Sequence, residues 1–400
     1  MGKGNLLYGQ SGGPTAVINA SLYGVVKEAL ASNEIEKVYG AIHGINGILN
    51  EEFYDFNEHQ SEIEKLPYTP GAFLGSVRHK LKDVNDDESE YVRILEVFKK
   101  YNIRYFFYNG GNDSMDTCNK ISKYLASKNY DCKVIGVPKT IDNDLPLVDH
   151  TPGFGSAAKY LITTIMELVL DTNVYKKGRV TIVEVMGRDT GWLTASSIVA
   201  KEKLGKPHLI YVPETTFDMD DFLNKVQEIY NKEQKVFVVI SEGIKDKDGK
   251  EVGASSDLDA FGHAQMGGVS SYLASVVKNK LGISTRGIEI NLSQRCAAHH
   301  ASLVDVNEAI EVGRYAVRSA LEGISDVMIG INVDNHQDYN VAFIRVPLGE
   351  VANKIKYLDS KYIESDSMIS PSFLEYVLPL IKGENKVEYD QDGVIDFAKR

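Results

Sequence analysis

The residues best suited to chemistry lie in one segment, Val137-Pro138-Lys139-Thr140-Ile141-Asp142-Asn143-Asp144, which holds a lysine, a hydroxyl and two carboxylates. The mainly apolar residues 134–137 predict a buried parallel strand, and Pro138 ends it because proline has no backbone donor. In open α/β sheets, ligands bind beyond the carboxyl ends of the strands, where these polar groups fall. The segment is therefore a candidate active site.

The two acids of this segment could work as a pair. If the chain stays extended after the strand, Asp142 and Asp144 project to the same side. Close carboxylates cannot both ionise freely, so one could act as a general base, while Lys139 offers a cation to an anionic substrate. Asp-Asn-Asp is also common in turns, and the segment alone leaves that structural alternative open.

Three glycine-rich turns each follow a strand signal and precede a helix signal. They are Gly9-Gln10-Ser11-Gly12-Gly13-Pro14-Thr15, Tyr108-Asn109-Gly110-Gly111-Asn112-Asp113-Ser114 and Pro152-Gly153-Phe154-Gly155-Ser156. Glycine lets the backbone approach a phosphate, and a helix N-terminus offers free amides and the positive end of its dipole. Tight turns without a ligand, and helix capping by Ser114, are the alternatives. Three such turns together favour a shared anion site.

Several basic side chains could converge on such an anion: Arg78, Lys139, Arg179, Arg188, Arg286 and Arg295. Arg188 and Glu242 each lie just past a strand signal, at residues 180–185 and 236–240. An arginine fork binds phosphate oxygens bidentately, although a lone arginine is usually a solvated surface group. Adjacent residues on a helix point apart, so the pair His299-His300 predicts no metal site.

Strand and helix signals alternate along the whole chain. Apolar runs predict strands at residues 6–8, 105–108, 134–137, 180–185, 209–212, 236–240 and 327–331. Amphipathic stretches predict helices, for example at residues 16–31, 115–125, 157–170, 220–230 and 269–281. This alternation predicts an α/β fold with mainly parallel sheets and helices on both faces.

Composition narrows the class of protein. A length of 400 residues predicts two domains or one large α/β unit. The formal net charge of -12 argues against nucleic acid or an anionic membrane as a partner, since both need a basic face. No signal-peptide core begins the chain, and the longest apolar helix signal, residues 161–170, is too short to span a bilayer. Three scattered cysteines agree with a reducing compartment, so we expect a cytoplasmic protein.

The order of the motifs along the chain is itself informative. They are Ser11-Gly12-Gly13-Pro14, Gly110-Gly111-Asn112-Asp113-Ser114, Pro138-Lys139-Thr140-Ile141-Asp142-Asn143-Asp144 and Val183-Glu184-Val185-Met186-Gly187-Arg188, followed by Ile240-Ser241-Glu242-Gly243, Thr285-Arg286 and Ser293-Gln294-Arg295. With them the chain resembles the 6-phosphofructokinase family, and specifically its pyrophosphate-dependent branch. The resemblance covers roughly residues 5–350.

The resemblance implies reversible transfer of a phosphoryl group from pyrophosphate to the 1-hydroxyl of fructose 6-phosphate, in glycolysis or gluconeogenesis. It implies that Asp142 is the general base, that Asp144 supports the same centre, and that Thr140 contacts the substrate or the phosphoryl group. Motif matching implies further sugar-phosphate ligands at Met186, Gly187, Arg188, Glu242 and Arg295, with Arg179 and Arg286 lent across a subunit interface. It implies donor ligands at Gly12, Arg78, Gly111, Asp113 and Ser114.

The same resemblance implies two Rossmann-like three-layer domains with the active site in the cleft between them. Roughly residues 1–155 plus 295–345 would form the phosphoryl-donor domain. Roughly residues 156–294 plus 346–400 would form the fructose 6-phosphate domain. Because arginines are shared between subunits in the family, a homodimer or homotetramer is expected.

Two positions separate phosphoryl donors within the family. ATP-dependent relatives carry glycine where this chain has Asp113 and Lys139. Asp113 would lie where the α-phosphate of ATP must pass, and two unit charges about 4 Å apart interact by about 4 kcal/mol at an effective dielectric near 20. Lys139 would offset charge on pyrophosphate in the transition state. Together they imply pyrophosphate as the donor.

Magnesium is the implied cofactor. Asn112 stands where many relatives have an aspartate that positions Mg²⁺. The amide oxygen of Asn112 is still a hard ligand, but it lacks the negative charge of a carboxylate. Asp113 or the substrate phosphates would therefore supply more of the oxygen ligands of the metal. Leu292 stands where many ATP-dependent members have a histidine, which implies rearranged recognition of the 6-phosphate. The alternatives are an ATP-dependent or donor-promiscuous phosphofructokinase, and a non-catalytic regulatory subunit, which would be expected to lack the Asp142 carboxylate.

Overall fold

The computed structural model describes residues 3–253 and 268–400. Its strands are β1 (Gly4–Gln10), β2 (Ile35–Ala41), β3 (Phe53–Asp55), β4 (Ile103–Gly110), β5 (Lys133–Pro138), β6 (Arg179–Val185), β7 (Leu209–Tyr211), β8 (Lys235–Ser241), β9 (Thr285–Glu289), β10 (Val327–Asn335), β11 (Asn340–Pro347), β12 (Ile363–Ser365) and β13 (Met368–Ile369).

Its α-helices are α1 (Ile18–Leu30), α2 (Ile45–Asn50), α3 (Ser89–Lys100), α4 (Asn112–Ser127), α5 (Phe154–Asn173), α6 (Trp192–Ala195), α7 (Ile198–Leu204), α8 (Met219–Glu233), α9 (Val269–Leu281), α10 (Ser293–Cys296), α11 (Leu303–Leu321), α12 (Leu348–Val351) and α13 (Phe373–Leu380). Short 3-10 helices occur at Ile63–Tyr68, Ala298–His300 and Ser360–Tyr362. Among the described residues, no helix is long and apolar enough to cross a membrane.

The first compact unit consists of Met1–Ser156, Arg295–Lys356 and Leu380–Arg400. Its seven-stranded sheet has the order β11-β10-β5-β4-β1-β2-β3. The strands from β10 to β2 run parallel, and β11 and β3 add antiparallel edges. Parallel strands bring all their carboxyl ends to one edge of the sheet, so the loops after β1, β4 and β5 lie side by side.

Both faces of this sheet are covered, because successive side chains of a strand point to opposite sides. Leu6 and Tyr8 of β1 belong to one buried cluster with residues of α1 and α11, whereas Leu7 belongs to a second cluster with residues of α3 and α4. The unit therefore has three layers, helix, sheet and helix, as expected for a parallel sheet with near-continuous apolar strands.

The second compact unit consists of Ala157–Gln294 and Tyr357–Pro379. Its four-stranded sheet has the order β7-β8-β6-β9 and is parallel throughout. Side chains of α8 and α9 cover one face of this sheet. Trp192 is buried against Tyr362, Phe373 and Tyr376, so it serves the core of this unit.

The predicted α/β fold with mainly parallel sheets is confirmed, and every predicted strand is present. Local expectations differ at three places. Ser114 does not cap α4; the capping position is Gly111, and Ser114 lies within the first turn. The chain is not extended from Asp142 to Asp144, because Asn143 takes a positive φ of 55° and turns it. Residues 346–356 and 380–400 lie in the first unit rather than with the rest of the tail.

Candidate functional site

Three loops of the first unit meet at the carboxyl edge of its sheet. Strand register pairs Gln10 with Asn109 and Gly110 with Pro138, so β1, β4 and β5 end at the same level. The backbone links continue past the strands, since Ser11 N donates to Asn109 O at 2.9 Å and Lys139 N donates to Gly110 O at 3.0 Å. The first two of the three glycine-rich turns therefore meet Lys139 at this edge.

Lys139 is buried at this meeting point, with 4% of its surface exposed. Its Nζ donates to Gly13 O at 2.6 Å. Gly12 has a φ of 74°, which favours glycine, and a Cβ there would lie 3.3 Å from Lys139 Nζ. Burial is the main reason that the pKa of Lys139 falls to about 8, with Asp142 opposing that fall and Arg295 adding to it. The ammonium of Lys139 is thus enclosed beside Gly12 and Gly13, which have no side chains.

Two arginines crowd the same position. A Cβ on Gly13 would lie 2.6 Å from Arg295 Nη1, so the Arg295 guanidinium lies against this loop. Burial lowers the pKa of Arg295, and the charge of the exposed Arg78 lowers it further. Like charges held close together repel one another, and an anion bound among them would relieve that repulsion. Positive charge is therefore concentrated beside Asp142 in the first unit, an arrangement that suits an anion.

Asp142 lies in a loop, residues 141–151, that we call the acidic loop. Its neck is closed where Thr140 N donates to Pro152 O at 3.3 Å, and Thr140 also bridges to Gly153. Thr140 Oγ1 accepts from Asp142 N at 3.0 Å, which fixes the start of the loop. Because the Thr140 hydroxyl holds the backbone of Asp142, its proton is left to point elsewhere.

Asp144 occupies a drier environment than a surface carboxylate. Burial raises its pKa, while a hydrogen bond from Thr140 and the charges of Lys356 and Lys139 act against that rise. Its Oδ1 is buried and has no hydrogen-bond partner within residues 3–253 and 268–400. Burial of Asp144 beside Asp142 disfavours a second negative charge at this position.

A buried polar network that the sequence did not predict joins the end of the acidic loop to α11. His150 Nδ1 contacts Asp149 Oδ1 at 2.7 Å, and His150 Nε2 contacts Glu308 Oε2 on α11 at 2.8 Å. Tyr339 OH donates to Glu308 Oε1 at 2.6 Å. Burial opposes the protonation of His150, but the charge of Glu308 and the hydrogen bonds of both acids outweigh it and raise the pKa of His150 to about 9.

We expect this network to make folding stability pH-dependent. A histidine whose folded pKa is raised contributes stability below its unfolded value, near 6.5, and loses it as pH rises through about 9. Between pH 6.5 and 8 the loss should be roughly 1 to 2 kcal/mol of unfolding free energy. Urea unfolding should show this loss in the native protein and a smaller one in Glu308→Gln.

His208 offers a matched control, because burial lowers its pKa, so its contribution has the opposite sign. His208→Gln should retain the fall in stability above pH 6.5. If Glu308→Gln retains the full fall instead, His150 is not the titrating group.

The first turn of α4 presents the residues predicted to meet the donor and the metal. Asp113 is exposed, Ser114 is buried, and Gly111 precedes them at the capping position. Asn112 Nδ2 donates to Lys354 O at 2.5 Å. Since a carbonyl needs a donor, the amide oxygen of Asn112 must face the other way; it is buried and has no hydrogen-bond partner in the described chain.

Met186, Gly187 and Glu242, three of the predicted sugar ligands, come together in the second unit. Glu242 follows β8, and its Oε1 accepts from Gly187 N at 3.1 Å, while Met186 N donates to Gln294 Oε1 at 3.2 Å. Gly187 has a φ of 134°, and a Cβ there would lie 2.6 Å from Thr190 O, so glycine is required for this turn. Burial raises the pKa of Glu242, with the Gly187 amide and Arg188 acting against it.

A small pocket opens at these strand ends. Its lining residues are Glu184, Val185, Met186, Glu242, Glu289, Asn291 and Gln294. Carboxylates and amides accept hydrogen bonds from hydroxyl groups, as a sugar requires. Glu184 was missed as a candidate, although an acid inside the apolar run of β6 was a visible signal; it also accepts from Ser270 N at the start of α9 at 2.9 Å.

Arg179 and Arg286 lie elsewhere on the same sheet. Arg179 begins β6, and Arg286 is paired with Thr181 near the beginning of β9. At about 3.3 Å per residue, β6 separates Arg179 from the Met186 turn by roughly 20 Å. The two arginines therefore do not join the pocket formed by Met186 and Glu242 of the same chain.

Comparison with known proteins adds the family. The family described as Phosphofructokinase matches residues 5–320. The chain belongs to the phosphofructokinase family. Two similar proteins, from Xanthomonas campestris pv. campestris and Halomonas elongata, are 43% and 41% identical, and the alignments cover 100% of this chain and 96% of each relative. Both are named pyrophosphate--fructose 6-phosphate 1-phosphotransferase.

A solved structure is also similar to this chain. The crystal structure of pyrophosphate-dependent phosphofructokinase from Marinobacter aquaeolei superposes with a TM-score of 0.89 at 38% identity. The superposition covers 99% of this chain and 96% of that one.

Proposed function

We propose that this chain transfers a phosphoryl group from pyrophosphate to the 1-hydroxyl of fructose 6-phosphate, giving fructose 1,6-bisphosphate and phosphate, and that it also catalyses the reverse. The main support for this proposal is the buried ammonium of Lys139, which lies beside Asp142 and Arg295 at the Gly12–Gly13 loop. Pyrophosphate is a compact polyanion that would relieve this concentration of positive charge. The close relatives carry the name of that activity.

In this proposal Asp142 is the base that takes the proton of the attacking hydroxyl. Thr140 fixes its backbone, and the desolvated Asp144 favours ionisation at only one of the two acids. Lys139 and Arg78 hold oxygens of the donor phosphate, and Gly12, Gly111 and Ser114 line the donor side. Phosphoryl transfer requires little covalent catalysis by the protein, so positioning of the substrates and stabilisation of charge account for most of the rate acceleration.

The fructose 6-phosphate would bind at the second-unit pocket. Glu242 would accept from sugar hydroxyls, and Met186, Gly187 and Arg188 would form the adjoining wall. Arg295 remains our candidate for the 6-phosphate, although it lies against the donor loop in the first unit. Arg179 and Arg286 lie at the amino-terminal ends of β6 and β9, away from the pocket of their own chain. We therefore propose that they serve the pocket of a neighbouring subunit in a homodimer or homotetramer.

Magnesium would bind on the donor side together with the substrate phosphates. No group of three or more His, Cys, Asp or Glu forms a metal site in the parts of the chain that are described. Mg²⁺ is often held by one or two protein oxygens together with substrate phosphates and water. The partnerless oxygen of Asn112 and the nearby Asp113 would supply the protein oxygens. The bound ion would neutralise charge on the pyrophosphate oxygens.

A coupled assay tests the function directly. Purified protein with fructose 6-phosphate, pyrophosphate and Mg²⁺ should form fructose 1,6-bisphosphate, and excess EDTA should abolish turnover. Fructose 1,6-bisphosphate with phosphate should yield pyrophosphate in the reverse direction. Absence of product in both directions from folded protein would overturn the proposal, and would favour the non-catalytic regulatory subunit that the intact Asp142 argues against.

Asp113 is expected to disfavour ATP, but less strongly than a buried charge would. Its exposure places the interaction between about 1 kcal/mol in water and about 4 kcal/mol near a protein surface. Asp113→Asn should therefore raise kcat/KM for ATP by at least about fivefold and change kcat/KM for pyrophosphate much less. Steady-state kinetics with both donors will check this.

Asp131→Asn is a suitable control, because Asp131 is exposed and pairs with Lys133 at the opposite end of β5. Asp131→Asn should leave kcat/KM unchanged for both ATP and pyrophosphate. An unchanged ATP reaction in Asp113→Asn would remove Asp113 from donor selection.

A further inference from the structure

A short segment, residues 353–356, connects two parts of the proposed donor site; we call it the strap. Its first half is tied to α4. Asn353 Nδ2 donates to Asp116 Oδ1 at 3.0 Å, and Lys354 O accepts from Asn112 Nδ2 at 2.5 Å. Asn112 and Asp116 are four residues apart and lie on the same face of the helix. The strap is thereby fixed to the turn that carries Asn112 and Asp113.

The second half of the strap is tied to the acidic loop through Lys356. Lys356 N donates to Asp144 O at 2.7 Å. Its ammonium contacts Asp149 O at 2.8 Å, Val148 O at 3.2 Å and Asn143 Oδ1 at 3.4 Å. An ammonium has three N–H donors, and three acceptors from one loop are within reach. Lys356 therefore gathers both arms of the acidic loop around a single charge.

That charge is placed in a desolvated position. Burial lowers the pKa of Lys356 to about 8, with the negative charges of Asp149 and Asp144 opposing the fall. Its positive charge in turn opposes the rise in the pKa of Asp144. A lysine that only joined two surface segments would not need to lose its hydration.

We propose that Lys356 is a positioning residue for phosphoryl transfer, which holds the acidic loop, and with it Asp142, in fixed register with the first turn of α4 through the strap. The inference rests on the proposed function, in which Asp142 is the base and α4 faces the donor. Asn112 gains a second role, because its Nδ2 completes the strap. An aspartate there would set two acceptor oxygens, its own and that of Lys354, against each other.

A misplaced base affects the chemical step more than the binding of substrates. Lys356→Met keeps most of the length of the side chain and removes its charge and donors. We expect kcat with pyrophosphate to fall by about 10²-fold, with KM for pyrophosphate and for fructose 6-phosphate within about threefold of the native values. Lys133→Met is the matched control, since Lys133 begins the strand that leads to the acidic loop but pairs with Asp131 at 3.1 Å; its kcat should stay within twofold.

Two results would overturn the proposal. One is a folded Lys356→Met enzyme, judged by its melting temperature, with kcat within threefold of native. The other is a large rise in KM for either substrate at unchanged kcat, which would make Lys356 a binding residue. Lys356→Ala is a second variant if the first does not fold: ethylammonium should restore kcat at least tenfold, and no restoration would count against a positioning charge.

Hydrogen exchange tests the inference without relying on turnover. Amides of residues 141–151 should exchange at least tenfold faster in Lys356→Met than in the native protein, while Lys133→Met should match the native rates. Unchanged exchange in this loop would contradict the positioning role. Native protein without pyrophosphate turnover would instead overturn the proposed function, and the exchange comparison would still decide whether Lys356 holds the loop.

Discussion

Replacing Asp142 by asparagine should lower kcat with pyrophosphate by about 10²- to 10⁴-fold, the usual contribution of a positioned general base. The substitution keeps the shape of the side chain and removes its basicity. The backbone contact from Asp142 N to Thr140 Oγ1 does not depend on the carboxylate, so the loop should keep its conformation. The coupled assay gives kcat, and the melting temperature reports folding.

The control for Asp142 is a carboxylate outside the loop. Asp131→Asn removes one negative charge from the same unit and should retain native kcat. If Asp142→Asn keeps near-full activity while its melting temperature is unchanged, another group takes the proton and the proposed role of Asp142 is wrong.

Replacing Lys139 by methionine should also have a large effect, about 10²- to 10³-fold in kcat with pyrophosphate. The enclosed ammonium is a preorganised charge, and removing one such group typically costs that much in transition-state stabilisation. Gly13 O would lose its donor, so the melting temperature is measured together with kcat to separate lost stability from lost transition-state stabilisation. Lys133→Met again controls for loss of a lysine from β5.

The pH dependence of the native enzyme gives an independent check on Lys139. Its pKa of about 8 means that the free enzyme loses this cation as pH rises through that value. We therefore expect kcat/KM for pyrophosphate to fall above pH 8, because kcat/KM reports the free enzyme. Lys139→Met should lack that fall. The same fall in Lys139→Met would assign it to another group.

The fold was largely predictable because its central strands are apolar and buried. β4, β5, β6 and β8 lie inside parallel sheets, and such strands read as continuous apolar runs. β2, β3, β9 and β11 gave no such signal, whereas the edge strand β7 did, at residues 209–212. β9 has the sequence Thr-Arg-Gly-Ile-Glu, with one large apolar residue in five, and its partner on one side supplies the hydrogen bonds that define it.

The candidate site was predictable where its side chains follow the ends of strands. Lys139 and Asp142 come directly after β5, and the glycine turns come directly after β1 and β4, so topology alone brings them together. The supporting groups were not predictable in this way. His150 contacts Glu308 across 158 residues of sequence, and Lys356 contacts Asp149 across 207, distances over which no local pattern applies.

The structure also shifts the balance between the two donor-selecting residues. From sequence, Asp113 and Lys139 share the task, with a charge term of about 4 kcal/mol assigned to Asp113. Asp113 is exposed, which weakens that repulsion, whereas Lys139 is buried, which strengthens its attraction for a polyanion. Selection for pyrophosphate should therefore rest more on Lys139.

The most direct test of this account is the ratio of kcat/KM for pyrophosphate to kcat/KM for ATP, measured on the native protein with saturating fructose 6-phosphate and Mg²⁺. The enclosed lysine and the acid at α4 together predict a ratio of at least about 10², equivalent to roughly 3 kcal/mol of discrimination. A ratio near or below one, with strong turnover of ATP, would contradict the assignment of pyrophosphate as the donor.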